Sequence, residues 1–135
     1  RAVMSFFAEI DAFVEENAAD PKLKPFLDGL ASSKAQLQDG TMWLMQNGLQ
    51  NPDNAGAAST DYMHLFGITG LAYMWALMAK VSLAKIAAGS TDPFYASKVS
   101  VGQYFLERIL PDAGAHLTKL KAGSANMMSI PAEAF

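Results

Sequence analysis

The feature that most restricts the fold is an uncharged apolar run near the middle of the chain. Residues 61–80 read DYMHLFGITGLAYMWALMAK, and no charged side chain occurs from Leu65 to Ala79. A membrane-spanning helix needs about 20 predominantly apolar residues, and this run has only 15. A helix that is apolar all round is typical of the centre of a soluble bundle, or of a helix with one side in the core and one on a partner. We therefore predict a central helix and disfavour a membrane span.

The residues before this run have the periodicity of two further helices. Apolar side chains recur every three or four positions over about residues 2–17, with acidic residues between them. Asp20-Pro21 and Lys24-Pro25 interrupt the pattern, because proline has no N–H and keeps the preceding residue out of the helical region. Pro25 suits the first turn of a second helix. The segment NGLQNPDNAG at 47–56 is expected to end that helix and to form a turn.

Residues that typically cap or break helices indicate where the third and fourth helices begin and end. The third helix should last until Gly89, because glycine suits the left-handed position after a helix end. The sequence STDP at 90–93 then supplies a capping side chain followed by Pro93 at the first helical position. Pro111 must bend or interrupt this fourth helix, since it removes the backbone bond to Glu107. The tail from Gly123, GSANMMSIPAEAF, is apolar but irregular.

The fold class follows from these four segments. No segment alternates with a period of two, so strands are not predicted. Four long helices with short connections favour antiparallel neighbours. We predict an all-α, antiparallel up-down-up-down four-helix bundle with an irregular carboxyl-terminal tail. Residues 1–135 should form a single domain, and the start at Arg1 suggests a piece of a longer protein.

Composition disfavours several classes of function. The net charge is −3 and no cluster of Lys and Arg occurs, so nucleic acid is not an expected partner. Cysteine is absent, which excludes thiol catalysis, thiolate metal sites and disulfides and is compatible with the cytoplasm, where we expect the protein to act. Charged residues make up only 17% of the chain, fewer than in an average soluble domain. Part of the surface is therefore expected to meet a partner.

Sequence motifs for metal binding and catalysis are missing. Glu107 is followed three residues later by Leu110, so the Glu-x-x-His pair of di-iron bundles does not occur. Neither His64 nor His116 has a second histidine four residues away. His64, near the predicted start of helix three and close to Asp61, is interpreted as a structural histidine. We predict no catalytic, cofactor-binding or metal-binding residue in this chain.

The apolar helix offers a candidate partner interface. Tyr73 and Trp75 point in different directions around the predicted helix, so one of them should face away from the domain's own core. The residues predicted for this interface are Tyr73, Trp75, Met74, Met78 and Phe135.

Methionines at helical spacing allow two interpretations. Methionine fills irregular gaps in cores, but it also lines adaptable grooves. We favour core filling, with a groove for an acyl chain or a partner as the alternative, for Met42, Met45, Met63, Met74 and Met78.

Three passages resemble the carboxyl-terminal helical extension of bacterial acyl-CoA dehydrogenases. They resemble in particular the subgroup that includes the 3-methylmercaptopropionyl-CoA dehydrogenases. The passages are DYMHLFGITGLAYMWALMA at 61–79, YFLERILPDAGAHLTKLKAG at 104–123 and SIPAEAF at 129–135. None of the three is an active-site signature.

The resemblance implies a parent enzyme that binds FAD and oxidises an acyl-CoA to a trans-2-enoyl-CoA. The glutamate base of that family lies in the preceding catalytic core, so no residue of this chain takes over its role. A flavin site also needs a β-domain, which a helical domain cannot supply alone. The resemblance therefore implies a non-catalytic domain that packs on the catalytic core of its parent chain or on a sister subunit of a homo-oligomer.

Two alternatives to this function stay open at the level of sequence. The bundle itself could hold an acyl chain or another lipid between helices two and three, next to the methionines. Alternatively, the tail and helix four could make a peripheral membrane contact, although a membrane is otherwise disfavoured as a partner.

Overall fold

The computed structural model describes all 135 residues and contains no β-strand. The all-α prediction is therefore confirmed. Five α-helices and one short 3-10 turn make up the chain: α1 at Ala2–Asn17, α2 at Lys24–Asn47, α3 at Pro52–Ala87, α4 at Pro93–Arg108, α5 at Asp112–Leu120 and the turn at Ala132–Ala134.

Helix α3 is the centre of the domain, and α2, α4 and α5 pack against it. The α2 and α3 helices are antiparallel: Thr69 of α3 donates to the Ser33 carbonyl at 3.3 Å, and further along α2 the hydroxyl of Thr41 lies 2.8 Å from that of Tyr62. Side chains of α4 and α5 meet successively earlier positions of α3, so these two helices are also antiparallel to it. The up-down-up-down bundle is confirmed, with α4 and α5 together forming its fourth rod.

The fourth rod is broken at the predicted proline. Helix α4 ends at Arg108 and α5 begins at Asp112, directly after Pro111. The amides of Ile109 and Leu110 both donate to the Phe105 carbonyl, at 3.0 and 2.9 Å, which closes the end of α4. Because Pro111 cannot continue the ladder of backbone bonds, it interrupts the helix and does not merely bend it.

The start of α3 differs from the prediction. The segment 47–56 is not one long turn, because α3 already begins at Pro52. The Asn51 side chain caps the helix by accepting a hydrogen bond of 3.1 Å from the Asp53 amide, and proline suits the first helical position. At the other end Gly89 has a φ of 96°, the left-handed conformation predicted for it.

Helix α3 is 36 residues long, so by length and composition it could cross a membrane. The expectation that the apolar segment is too short to span a membrane was based on the uncharged residues Leu65 to Ala79 alone, whereas the helix extends beyond them on both sides. Within the domain 39% of the most apolar window of α3 is buried, and core helices of soluble proteins meet the same criteria. Because α2, α4 and α5 all pack against α3, the structure gives α3 the place of a core helix with one side uncovered.

Candidate functional site

Tyr73 lies in the core of the domain and not on its surface. It is only 8% exposed, its ring meets those of Phe6 and Phe13 edge-on, and its hydroxyl donates to Glu9 Oε1 at 3.0 Å. Burial, together with the hydrogen bond to Glu9, raises the pKa of the Tyr73 phenol above its usual value of 10.0. Tyr73 therefore joins α1 to α3 and has almost no surface to offer a partner.

Trp75 is half-buried under α4. Its ring stacks on Phe105 at a centroid distance of 6.4 Å, and the Lys98 ammonium lies 5.8 Å from the ring centre. Helix α4 thus covers most of this side of α3. Neither Tyr73 nor Trp75 therefore presents a fully exposed aromatic ring on the surface of this domain.

The uncovered side of α3 is apolar along most of its length, and we call it the outer face. Met74 lies on it and is 45% exposed, and Gly67 is exposed as well. No atom lies within 4 Å of the position that a Cβ would take at Gly67 or Gly70. Positions on the outer face alternate in steps of four and three residues, from Gly56 through Thr60, Met63, Gly67, Gly70, Met74 and Leu77 to Val81.

We expect Gly67→Ala and Gly70→Ala each to stabilise the monomeric domain by about 0.5–1 kcal/mol. Alanine restricts the unfolded chain, and its methyl group meets nothing in the folded domain. The measurement is the midpoint of urea unfolding at a dilute protein concentration. Gly102→Ala is the matched control and should destabilise the domain, because its Cβ would lie 2.6 Å from a ring carbon of Phe26. A loss of stability at Gly67 would contradict the open outer face.

A groove between α3 and α4 continues the outer face. Its volume is about 290 Å³, and Leu77 and Val81 belong to both the outer face and this α3–α4 groove. Lys98 stands at the groove with its ammonium 5.4 Å from the centre of the Phe94 ring. The lining residues are Leu77, Met78, Val81, Ser82, Phe94, Tyr95 and Lys98. The predicted interface residues Met74 and Met78 therefore lie on one continuous apolar surface.

The interpretation of the methionines as core fillers is wrong for most of them. Met42, Met45, Met63 and Met74 are all exposed, because they lie on the sides of α2 and α3 that face solvent. Only Met45 lines the shallow groove between the carboxyl end of α2 and the start of α3, whereas Met78 lines the α3–α4 groove. The five methionines thus do not converge on one site for an acyl chain.

The carboxyl-terminal tail is irregular, as predicted, apart from one 3-10 turn. Its apolar side chains are turned outward, with Phe135 94% exposed. The tail is fixed at Ser124, whose amide and hydroxyl both donate to Asn54 Oδ1 at 2.9 Å. A role of Phe135 in a partner interface stays a prediction.

A polar cluster joins α3 to α5. His116 Nδ1 lies 2.8 Å from Asp61 Oδ1, and the Lys119 ammonium lies 3.4 Å from the same oxygen. His64 lies about three turns into α3 and not near its start. The residue that bonds Asp61 is His116, and the His64 ring stacks on the His116 ring at a centroid distance of 5.1 Å. No three His, Asp or Glu side chains are grouped so that they could hold a metal ion.

This cluster makes the stability of the domain sensitive to acid. The hydrogen bond from His116, aided by Lys119 and opposed by burial, lowers the pKa of the Asp61 carboxyl below its usual 3.8. A lowered pKa in the folded state stabilises the fold above the unfolded-state pKa, and this stability is lost as the pH falls through the folded-state pKa.

We therefore expect the melting temperature of the unmodified chain to fall more steeply below about pH 4 than that of the Asp61→Asn variant. Circular dichroism during heating measures both profiles. Asp28→Asn is the control, because its ion pair with Lys24 is solvent-exposed and contributes little. Parallel profiles for Asp61→Asn and the unmodified chain would contradict the role of this carboxylate.

The family is decided by a match along almost the whole chain. The model of the family described as acetyl-CoA dehydrogenase C-terminal like matches residues 6–131. The chain belongs to this family. The resemblance noted in the sequence is thereby confirmed at the level of the family. No curated protein matches the chain.

The match places the apolar surface inside this acetyl-CoA dehydrogenase C-terminal-like domain. All five helices, the outer face of α3 and the α3–α4 groove lie within residues 6–131, apart from the first turn of α1. The predicted interface did not include Gly67 and Phe94, and Met63 was predicted to line a groove only as the alternative to core filling. The steps of four and three residues along α3 are the signal from which the outer face could have been found.

Proposed function

We propose that this chain is the non-catalytic carboxyl-terminal domain of a FAD-dependent acyl-CoA dehydrogenase, which packs on the catalytic core or on a sister subunit. The family match over residues 6–131 carries the proposal. The exposed apolar surface of α3 and the outward-facing tail support a packing role, because large exposed apolar patches mark interaction sites.

The finer parts of the proposal rest on the resemblance of the three passages. The parent enzyme is a bacterial, cytoplasmic homo-oligomer similar to 3-methylmercaptopropionyl-CoA dehydrogenases. It acts in fatty acid metabolism and converts an acyl-CoA to a trans-2-enoyl-CoA, with FAD as the electron acceptor.

The residues of this chain do not fit a flavin site. The buried polar side-chain atoms all have hydrogen-bond partners within the domain, so a flavin ring would have to find its donors and acceptors in an open groove. The apolar α3–α4 groove, of about 290 Å³, has Lys98 as its one charged lining residue. We therefore assign the flavin, the catalytic base and the acyl-CoA site to the catalytic core of the parent enzyme.

Flavin and acyl-CoA titrations of the 135-residue chain test this assignment. We expect no change in the fluorescence of FAD and no reduction of an electron-accepting dye when acyl-CoA is added. The full-length parent enzyme is the positive control for both readouts. Native mass spectrometry of the purified chain adds a test of the alternative, since co-purified lipid would favour an acyl-binding module. Binding of FAD to the isolated chain would contradict the assignment.

A further inference from the structure

We propose that the outer face of α3 pairs with the same face of a second copy of this chain, with the two helices antiparallel. The inference rests on the proposed function, of which it specifies the contact between sister subunits. Three observations carry it: the spacing along the outer face, the position of its glycines, and the charges at its two ends.

The spacing of the outer face suits a second long helix. Its residues follow one another in steps of four and three from Gly56 to Val81, without a charged side chain among them. Such a repeat keeps a strip of residues facing a neighbouring helix that packs lengthwise. The strip is about 38 Å long, within a helix of about 54 Å. The helices of the domain leave it uncovered, and the tail residues Met127 and Met128 border only its first part, in a pocket that they share with Gly56 and Thr60. A partner from outside this chain can therefore cover the rest of the strip.

The glycines define where the two helices come closest. An antiparallel pair with its two-fold axis between Gly67 and Gly70 places Gly67 against the partner's Gly70. The same register places Met63 against the partner's Met74 and Gly56 against the partner's Val81. Small residues thus meet at the centre, where a close approach of the backbones needs them, and a glycine faces a larger side chain at each end.

The charges at the ends of α3 favour the antiparallel direction. Asp53 is in the first turn of α3 and Lys85 is in the last turn, both are exposed, and neither forms an ion pair within the chain. The register given above brings Asp53 within one residue of the partner's Lys85 at each end. A parallel pair would instead place like charges side by side, which opposes association.

The small size of this contact favours a weak, reversible association. A strip of this length and about 10 Å wide covers about 400 Å² per chain, half of the roughly 800 Å² that each partner of a standard interface buries. The α3–α4 groove with Phe94 adjoins the strip and adds apolar surface. We therefore expect the isolated chain to dimerise reversibly, with a dissociation constant in the micromolar range.

Sedimentation velocity of the 135-residue chain at increasing concentration measures this association. We expect a monomer–dimer equilibrium that Met74→Glu weakens about tenfold or more, because it places two carboxylates in the apolar contact. The matched control is Met42→Glu on α2, since Met42 is similarly exposed at 53% but lies away from the outer face. It should leave the dissociation constant unchanged. Circular dichroism checks that both variants are folded.

Charge reversal tests the direction of the pair. Asp53→Lys and Lys85→Asp should each weaken the dimer, and the two substitutions in one chain should restore it, because opposite charges then face each other again. A chain that stays monomeric, or a dimer that Met74→Glu leaves intact, overturns the proposal. A dimer that the double reversal does not restore overturns the antiparallel register.

One further result would assign the outer face to another occupant. If the chain is monomeric and Met74→Glu instead releases it from the separately purified catalytic core, the face docks on that core and the pairing of two copies is wrong. The proposed function would survive that result. It fails separately, if the isolated chain binds FAD.

Discussion

Replacing Phe26 with alanine should destabilise the domain by about 3–5 kcal/mol, as is usual for a buried phenylalanine. Phe26 is 1% exposed and lies where α2, α3 and α4 meet, with its ring against Gly102 of α4. A Cβ at Gly102 would lie 2.6 Å from the nearest ring carbon, so the ring packs directly on the α4 backbone and Gly102 has no side chain to fill the space that Phe26 leaves. Urea unfolding followed by circular dichroism measures the loss.

A double-mutant cycle tests whether the packing of Phe26 against Gly102 contributes to this loss of stability. Gly102→Ala alone should destabilise the domain, because its methyl group overlaps the Phe26 ring. In the Phe26→Ala background the same methyl group enters an empty space, so its effect should become small or favourable. Additive effects of the two substitutions would show that Phe26 does not pack against Gly102.

The second large effect is expected at Asn54, which fastens the tail to the bundle. Its Oδ1 accepts hydrogen bonds of 2.9 Å from both the amide and the hydroxyl of Ser124, and its Nδ2 donates to the Asn47 carbonyl at 3.3 Å. Asn54→Ala leaves the buried Ser124 amide without an acceptor. We expect a loss of about 2–3 kcal/mol, since a buried unpaired donor is expensive. Urea unfolding measures the loss, and faster proteolysis of the tail should accompany it.

Asn54→Asp is the matched variant for this prediction. Aspartate keeps an acceptor for Ser124, and its charge suits the first turn of α3. It loses the weaker bond to Asn47 and places an oxygen near that carbonyl, which costs less than leaving the Ser124 amide unpaired. It should therefore be clearly more stable than Asn54→Ala. Equal losses in the two variants would contradict the role of Ser124 as the main partner.

The sequence predicts helices well wherever capping residues mark their ends. The cap at residues 90–93, the left-handed Gly89 and the break at Pro111 all appear in the structure. The sequence does not predict the start of α3, because Asn, Pro and Asp serve equally in turns and in helix caps. Only the three-dimensional structure shows that Asn51 caps a helix here.

The orientation of α3 could not be predicted from its sequence. A helix that is apolar all round has no polar side to mark solvent, so periodicity does not reveal that Tyr73 faces inward and Met74 outward. The bond between Asp61 and His116 joins residues 55 positions apart, for which no local pattern exists. The positions of the other helices around α3 decide both features.

Removing residues 1–135 from the full-length parent enzyme tests the central claim most directly. We expect the truncated enzyme to keep its FAD and its rate of acyl-CoA oxidation per flavin within about threefold, because we assign the chemistry to the catalytic core. It should also show a lower melting temperature or a smaller assembly in sedimentation, since it loses a packed domain. A loss of flavin or of turnover in a truncated enzyme that stays folded would contradict the account, as would an unchanged assembly and melting temperature.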